Sequence, residues 1–205
     1  FETVQPSYQF IKALLKNEEG LHIDKDHFMT ISPDEGSMSR AIYLANVLGV
    51  DMGMYYKRLD YTTYENGRHP VAAYEFLGPK LEGKDMILID DMISSGDTIL
   101  KIASLLKEKG AGKVYICSTF GFFTDGLEKF DEAHKKGYFD KLLTTNLVYQ
   151  EPELLEKPYY ISCDMSKYIA LIIDTLNHDN SVSHLLNPVD RIKRCVTNYM
   201  SQYEK

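Results

Sequence analysis

Two spacings of apolar residues alternate along this chain. Short unbroken runs, such as Phe28-Met-Thr-Ile31, Met86-Ile-Leu-Ile89 and Val114-Tyr-Ile-Cys117, have the length of buried strands. Between them apolar residues recur at helical period: Ile11, Leu14 and Leu15; Ala41, Leu44, Ala45 and Leu48; Ile99, Leu100, Ile102, Ala103, Leu105 and Leu106; Leu127, Phe130 and Ala133. The pattern predicts strands near 28–31, 53–57, 71–77, 86–89, 114–118, 140–146 and 159–162. It predicts helices over 6–18, 41–48, 99–110, 125–136, 168–176 and 188–203. Ser166 is expected to cap the helix that follows it. Strands that alternate with helices imply an α/β fold, a mostly parallel sheet flanked by helices and joined by right-handed crossovers. The polar stretch 60–70, with Asn66-Gly67 as a turn signal, predicts a flap hairpin. The last segment reads as a packed or interface helix.

Three polar stretches interrupt this pattern where chemistry is expected. The first follows the strand at 86–89. Asp90 and Asp91 come at its end, then Ser94-Ser-Gly-Asp-Thr98, then a helix. A helix N-terminus offers unpaired N–H groups and partial positive charge to an anion. Gly96 allows close approach of the backbone. Ser94, Ser95 and Thr98 add hydroxyls, and Asp97 completes the loop. This suits a phosphate monoester. The acid pair then makes sense as acceptors for sugar hydroxyls, or as Mg²⁺ holders through water. A buried strand, a solvated acid pair and a capped helix would account for the same residues without function, but five features coincide in order.

The second stretch, Ser32-Pro-Asp-Glu-Gly-Ser-Met-Ser-Arg40, also joins a strand to a helix. Gly36 and Ser37 can offer N–H groups to a second anion, and Asp34 can take a metal. Alone it reads equally well as a capped helix after a turn. Beside the 90–98 loop it reads as a second half-site. The third is Lys57-Arg58 at the base of the flap, a pair of cations that the flap would bring over the site.

The totals narrow the classes. The chain has 205 residues, 44% hydrophobic and 26% charged, enough for one domain with a substantial core. Its net charge of −7 disfavours nonspecific nucleic-acid binding. An acidic chain that handles polyphosphates is expected to take them as Mg²⁺ complexes. Cys117, Cys163 and Cys195 have no metal spacing, and Cys117 sits in an apolar run, so a reducing, cytoplasmic setting is expected. No signal peptide or membrane-spanning run is evident. The chain opens with Phe1 rather than Met, which fits a processed chain or part of a longer one.

The strand, the acid pair and the Ser-Ser-Gly loop at 86–98 resemble the phosphoribosyl pyrophosphate motif of type I phosphoribosyltransferases and of ribose-phosphate pyrophosphokinases. The rest of the chain is similar to the second group. Ser32 to Ala41 resembles its Ser-Pro-Asp-x-Gly-Gly-x-x-Arg-Ala segment, with Ser37 in place of the second glycine. Lys57-Arg58-Leu59 stands where that family carries Lys-Arg-Arg on a catalytic loop, with Leu59 in place of the last Arg. Thr119 and Gly126 match a Thr-His loop and the glycine after it, with Phe120 replacing the His. Thr144 to Asn146 lies near a Ser/Thr-Asn pair, and Ser181 to Leu186 resembles Ser-x-Ser-x-Leu-Phe. The likeness spans about residues 26–186 and corresponds to the C-terminal half of such an enzyme.

The resemblance implies a phosphoribosyltransferase-like fold and transfer of a diphosphoryl group from MgATP to ribose 5-phosphate, giving phosphoribosyl pyrophosphate and AMP for nucleotide biosynthesis. It implies Asp90, Asp91, Ser94, Ser95, Gly96, Asp97 and Thr98 for ribose 5-phosphate. Asp34, Glu35, Gly36 and Ser37 would form the pyrophosphate loop, with Asp34 as a Mg²⁺ ligand. Lys57 and Arg58 would be catalytic, and Arg58 or Arg68 could stand in for the missing Arg. The family's N-terminal half, which holds most of the ATP site, would be a partner in the same polypeptide. Homo-oligomers, dimers or hexamers, are expected, with no nucleic-acid or membrane partner. Residues 1–24 would be a linker or packing helix, 25–187 the catalytic domain and 188–205 its C-terminal helix. Two other readings stay open: a phosphoribosyltransferase of nucleotide salvage, and a non-catalytic subunit that senses phosphoribosyl pyrophosphate.

Overall fold

The structure, a computed structural model, describes residues 3–59, 62–64 and 71–203. The expected Asn66-Gly67 turn and Arg68 lie outside these residues. The described residues form a seven-stranded sheet of order β3-β2-β1-β4-β5-β6-β7. The strands are β1 (Phe28–Ser32), β2 (Asp51–Leu59), β3 (Val71–Leu77), β4 (Asp85–Ile93), β5 (Val114–Gly121), β6 (Lys141–Thr145) and β7 (Tyr160–Cys163). All neighbouring pairs are parallel except β2 with β3, the antiparallel hairpin at one edge.

Each buried strand feeds two cores because its successive side chains point to opposite faces. In β4, Ile87 and Ile89 face a core shared with helices α1 (Ser7–Asn17), α2 (Met38–Leu48) and α8 (Val189–Met200). Met86 and Leu88 face the other core, filled by Ile99, Ile102, Ala103 and Leu106 of α3 (Asp97–Glu108) and by Phe130 and Ala133 of α4 (Glu128–Lys135). Both faces of the sheet are thus covered by helices, and this is the expected phosphoribosyltransferase-like α/β architecture. Three further helices, α5 (Pro152–Leu155), α6 (Ser166–Asn177) and α7 (Ser183–Leu186), complete the described chain.

The terminal helices belong to this packing. Phe10, Ile11 and Leu14 of α1 are fully buried, as is Ile192 of α8. The hydroxyl of Tyr199 donates to the Glu18 carbonyl at 2.8 Å and accepts from the Leu21 N–H at 3.0 Å, so α8 is tied to the turn after α1.

Several expected boundaries move. Strand β4 runs on through Asp90 and Asp91 to Ile93, because its ladder with β5 continues through Met92–Phe120 and Ile93–Gly121. Helix α4 starts at Glu128 rather than 125, since Gly126 sits at φ +79° in a preceding turn. Ser166 is not a cap. It is the first helical residue of α6, and the Asp164 carboxylate accepts its N–H at 2.9 Å. Helix α6 is also less buried than its composition suggests, with Ile173 and Leu176 exposed.

Candidate functional site

The chain order of the strands creates the site. After β1 the chain turns to β2 on one side, and β4 then pairs on the other side of β1. The loops after β1 and β4 therefore diverge at their shared carboxyl ends. That crevice is a topological switch point, where open α/β sheets bind ligands. Here it holds a cavity of about 330 Å³, lined by Asp34, Gly36, Ser37 and residues 90–99. The two half-sites expected from the sequence thus share one cavity.

The loop after β4 turns sharply into α3. Gly96 adopts φ +83° and precedes the first turn of α3. A side chain there would be strained by that backbone angle and would collide with the ring of Phe130. Glycine is required twice over, and the Asp97 N–H that opens α3 donates to Ser95 Oγ at 3.4 Å. The hydroxyl of Ser94 meets Thr124 Oγ1 at 3.2 Å, and the Thr124 N–H donates to the Ser94 carbonyl at 3.1 Å. Ser95 Oγ donates to Asp97 Oδ2 at 2.9 Å. The segment before α4 thus braces the loop from outside.

The loop after β1 is tied to the acid pair. Ser37 is 2% exposed, and its hydroxyl donates to Asp90 Oδ1 at 2.6 Å instead of capping α2. Asp34 accepts the Ser37 N–H at 3.2 Å. Arg40, which sequence reasoning did not place in the site, donates to Asp91 Oδ2 at 3.3 Å. Its place in the Ser32–Ala41 segment was the available signal. Burial first, and then the carboxylates of Asp34 and Asp91, push the Asp90 acid up to about 6 against the hydrogen bond from Ser37.

Lys57 joins the two loops. Its ammonium donates to Asp34 Oδ2 at 3.4 Å and to Thr98 Oγ1 at 3.3 Å. Arg58 does not join them. Successive side chains of β2 face opposite sides, and the Arg58 guanidinium instead pairs with Glu75 of β3 at 3.2 Å. Glu35 is exposed and does not line the cavity. Asn146, near the expected Ser/Thr-Asn pair, is committed elsewhere: its side chain bonds Asp164 and the Met165 N–H at 2.8 Å each.

Four carboxylates, Asp34, Asp90, Asp91 and Asp97, line one cavity, and repulsion from Asp34 and Asp91 adds to burial in raising the acid of Asp90. A divalent cation would relieve it. Among the described residues no group of three or more His, Cys, Asp or Glu side chains forms a metal cage. Mg²⁺ does not need one, because it is commonly held by one or two carboxylates with water and substrate phosphates supplying the rest. The donor set fits that mode.

Comparison with known proteins gives a consistent picture. Residues 74–187 match the family described as the phosphoribosyl synthetase-associated domain. A ribose-phosphate pyrophosphokinase of Thermococcus kodakarensis is 34% identical over 121 residues, 58% of this chain and 39% of that protein. Ribose-phosphate pyrophosphokinase 5 of Schizosaccharomyces pombe is 33% identical over 139 residues, 67% of this chain and 37% of that one. The chain spans less than half the length of these relatives. The crystal structure of phosphoribosylpyrophosphate synthetase from Mycobacterium smegmatis superposes with a TM-score of 0.66 at 21% identity, covering 85% of this chain and 51% of that one. It shares the fold.

Proposed function

This chain belongs to the phosphoribosyl synthetase-associated family, and from that premise we propose that its crevice binds ribose 5-phosphate for diphosphoryl transfer from MgATP. One observation supports the reading above others: both polar loops and Lys57 converge on one cavity at the switch point of the sheet.

In this reading the 5-phosphate sits on the N–H groups and hydroxyls of Ser94, Ser95, Gly96, Asp97 and Thr98. Asp90 and Asp91 accept hydrogen bonds from the 2- and 3-hydroxyls. The 1-hydroxyl is thereby aimed at the loop of Asp34, Gly36 and Ser37, which cradles the diphosphate. The sugar oxygen forms a bond to the β-phosphorus of ATP, the bond from that phosphorus to the α-phosphate oxygen breaks, and AMP leaves while the hydroxyl proton is lost. Positioning and charge stabilisation supply most of the acceleration in such transfers. Lys57 places an ammonium between the two loops, where charge builds up. Mg²⁺, held by Asp34 with Asp90 or Asp91 nearby, would neutralise phosphate charge. The remaining ATP contacts would come from an N-terminal half of the same polypeptide, and the working form would be a homo-oligomer.

Asp91→Ala tests the sugar site. Calorimetric affinity for ribose 5-phosphate is expected to drop roughly tenfold or more, the scale of a charged hydrogen bond removed from a part-buried site. Unchanged affinity would reject the assignment.

The pairing of Arg58 with Glu75 favours a second reading, a subunit that binds the sugar phosphate without turning it over. With Leu59 where the resemblance expects Arg, Lys57 is, among the described residues of the flap, the cation that reaches the site. Leu59→Arg separates the two readings. A large gain in AMP release with little change in ribose 5-phosphate affinity would mark the native chain as a weak catalyst or a sensor.

A further inference from the structure

We propose that Lys129, on α4, is a positioning residue for this site: a counter-charge on Asp97 that lets the acidic loop hold an anion. The inference rests on the reading of residues 94–98 as a phosphate cradle. Asp97 is anomalous there. It lies in the loop, lines the cavity and is largely exposed, so its carboxylate would face a bound phosphate. Two like charges at that range repel, and the cavity already holds Asp34, Asp90 and Asp91.

The structure supplies the compensation from a separate element. Lys129 Nζ lies 2.8 Å from Asp97 Oδ1 and 2.9 Å from Asp125 Oδ2. Asp125, in the turn that precedes α4, holds the lysine from the other side and keeps the ammonium on Asp97. Lys57 bonds Thr98 from β2. Among the described residues these two lysines are the cations hydrogen-bonded to the 94–98 loop, and they flank it. The Lys129–Asp97 pair holds the Asp97 carboxyl below the ordinary range, so Asp97 is ionised at neutral pH and its charge needs an answer.

A rival account makes the pair a mechanical staple between α3 and α4. The two accounts predict different responses to salt. If the pair is a staple, losing the lysine weakens binding at low and raised salt alike. If Lys129 balances charge, the loss shrinks as salt screens it.

The test is calorimetric titration of the full 205-residue chain with ribose 5-phosphate, at low and raised salt. Lys129→Ala is expected to weaken binding by roughly five- to tenfold at low salt, with the difference shrinking as salt screens it. Lys129→Arg is expected to stay close to the parent. Lys129→Ala placed in an Asp97→Ser background is expected to lose much less than it does alone. Undiminished binding by Lys129→Ala would overturn the inference while leaving the cradle intact. So would a loss in Lys129→Ala that is the same at low and raised salt. Absence of saturable binding by the parent chain would instead remove the cradle reading, and this inference with it.

Discussion

Asp90 shows how one residue can weaken a fold while making it useful. Its carboxyl is raised to about 6, chiefly by burial, and then by Asp34 and Asp91. A carboxyl whose folded value lies above its unfolded value of about 4 favours the fold only while protonated. Its contribution is present below about pH 4 and is lost as pH rises to about 6, so at neutral pH the ionised group opposes folding. Allowing for partial exposure, the effect is of order 2 kcal/mol. Asp90→Asn should therefore melt roughly 5 °C higher than the parent at pH 7.5, with the gap closing towards pH 4, while losing ribose 5-phosphate affinity. Parallel melting curves across that pH range would contradict the origin given to the shift. Ser37 belongs to the same account. A serine stands where the resembling segment carries glycine, and its hydroxyl turns inward to Asp90. The sequence marks the departure, but only the approach of two neighbouring strand ends shows where the hydroxyl goes.

At the level of elements, the strand–loop–helix unit around β4 and α3 was readable because each signal is local. An apolar run, an acid pair, a glycine and a helical period follow one another without long-range help. What was not readable is what packs on the loop. Phe130 of α4 touches the space where a Gly96 side chain would lie, and Thr124 bonds Ser94. Gly96→Ala should thus lose more than the usual left-handed penalty of about 1 kcal/mol, since the ring must also move, at roughly 1–3 kcal/mol more. Thermal melting should fall by several degrees and ribose 5-phosphate binding should vanish. A mild effect on both would mean that Phe130 yields easily. The extension of β4 through its acids was missed for a similar reason: the ladder to β5, not the β4 sequence, sets its end. Ser166 misled because serine is a common cap, whereas Asp164 two residues earlier takes the role. Arg58 pairs with Glu75 rather than with the loops that Lys57 joins, because adjacency in sequence is opposition on a strand.

For the whole molecule, alternation of strands and helices was enough to predict a parallel α/β sheet with both faces covered, and the hairpin edge followed from the polar flap. Strand order was not available from that pattern, and strand order makes the site. Had β4 paired beyond β2, the loops carrying Asp34 and Asp90 would not have met. The proposed sugar-phosphate cavity lies within the described residues, while the chain spans less than half of its curated relatives. The 205-residue chain alone is therefore expected to bind ribose 5-phosphate yet release little AMP from MgATP. Single-turnover assays that show rapid AMP release from this chain would place the full ATP site within it.

Lys57 already bridges the two loops in the ligand-free chain. It does so from the edge hairpin, so the strand that carries it is tied to both loops at once. In the proposed reading, a phosphate that took over this ammonium would pull on β2 as it bound, and the hairpin strand would report the arrival of the sugar.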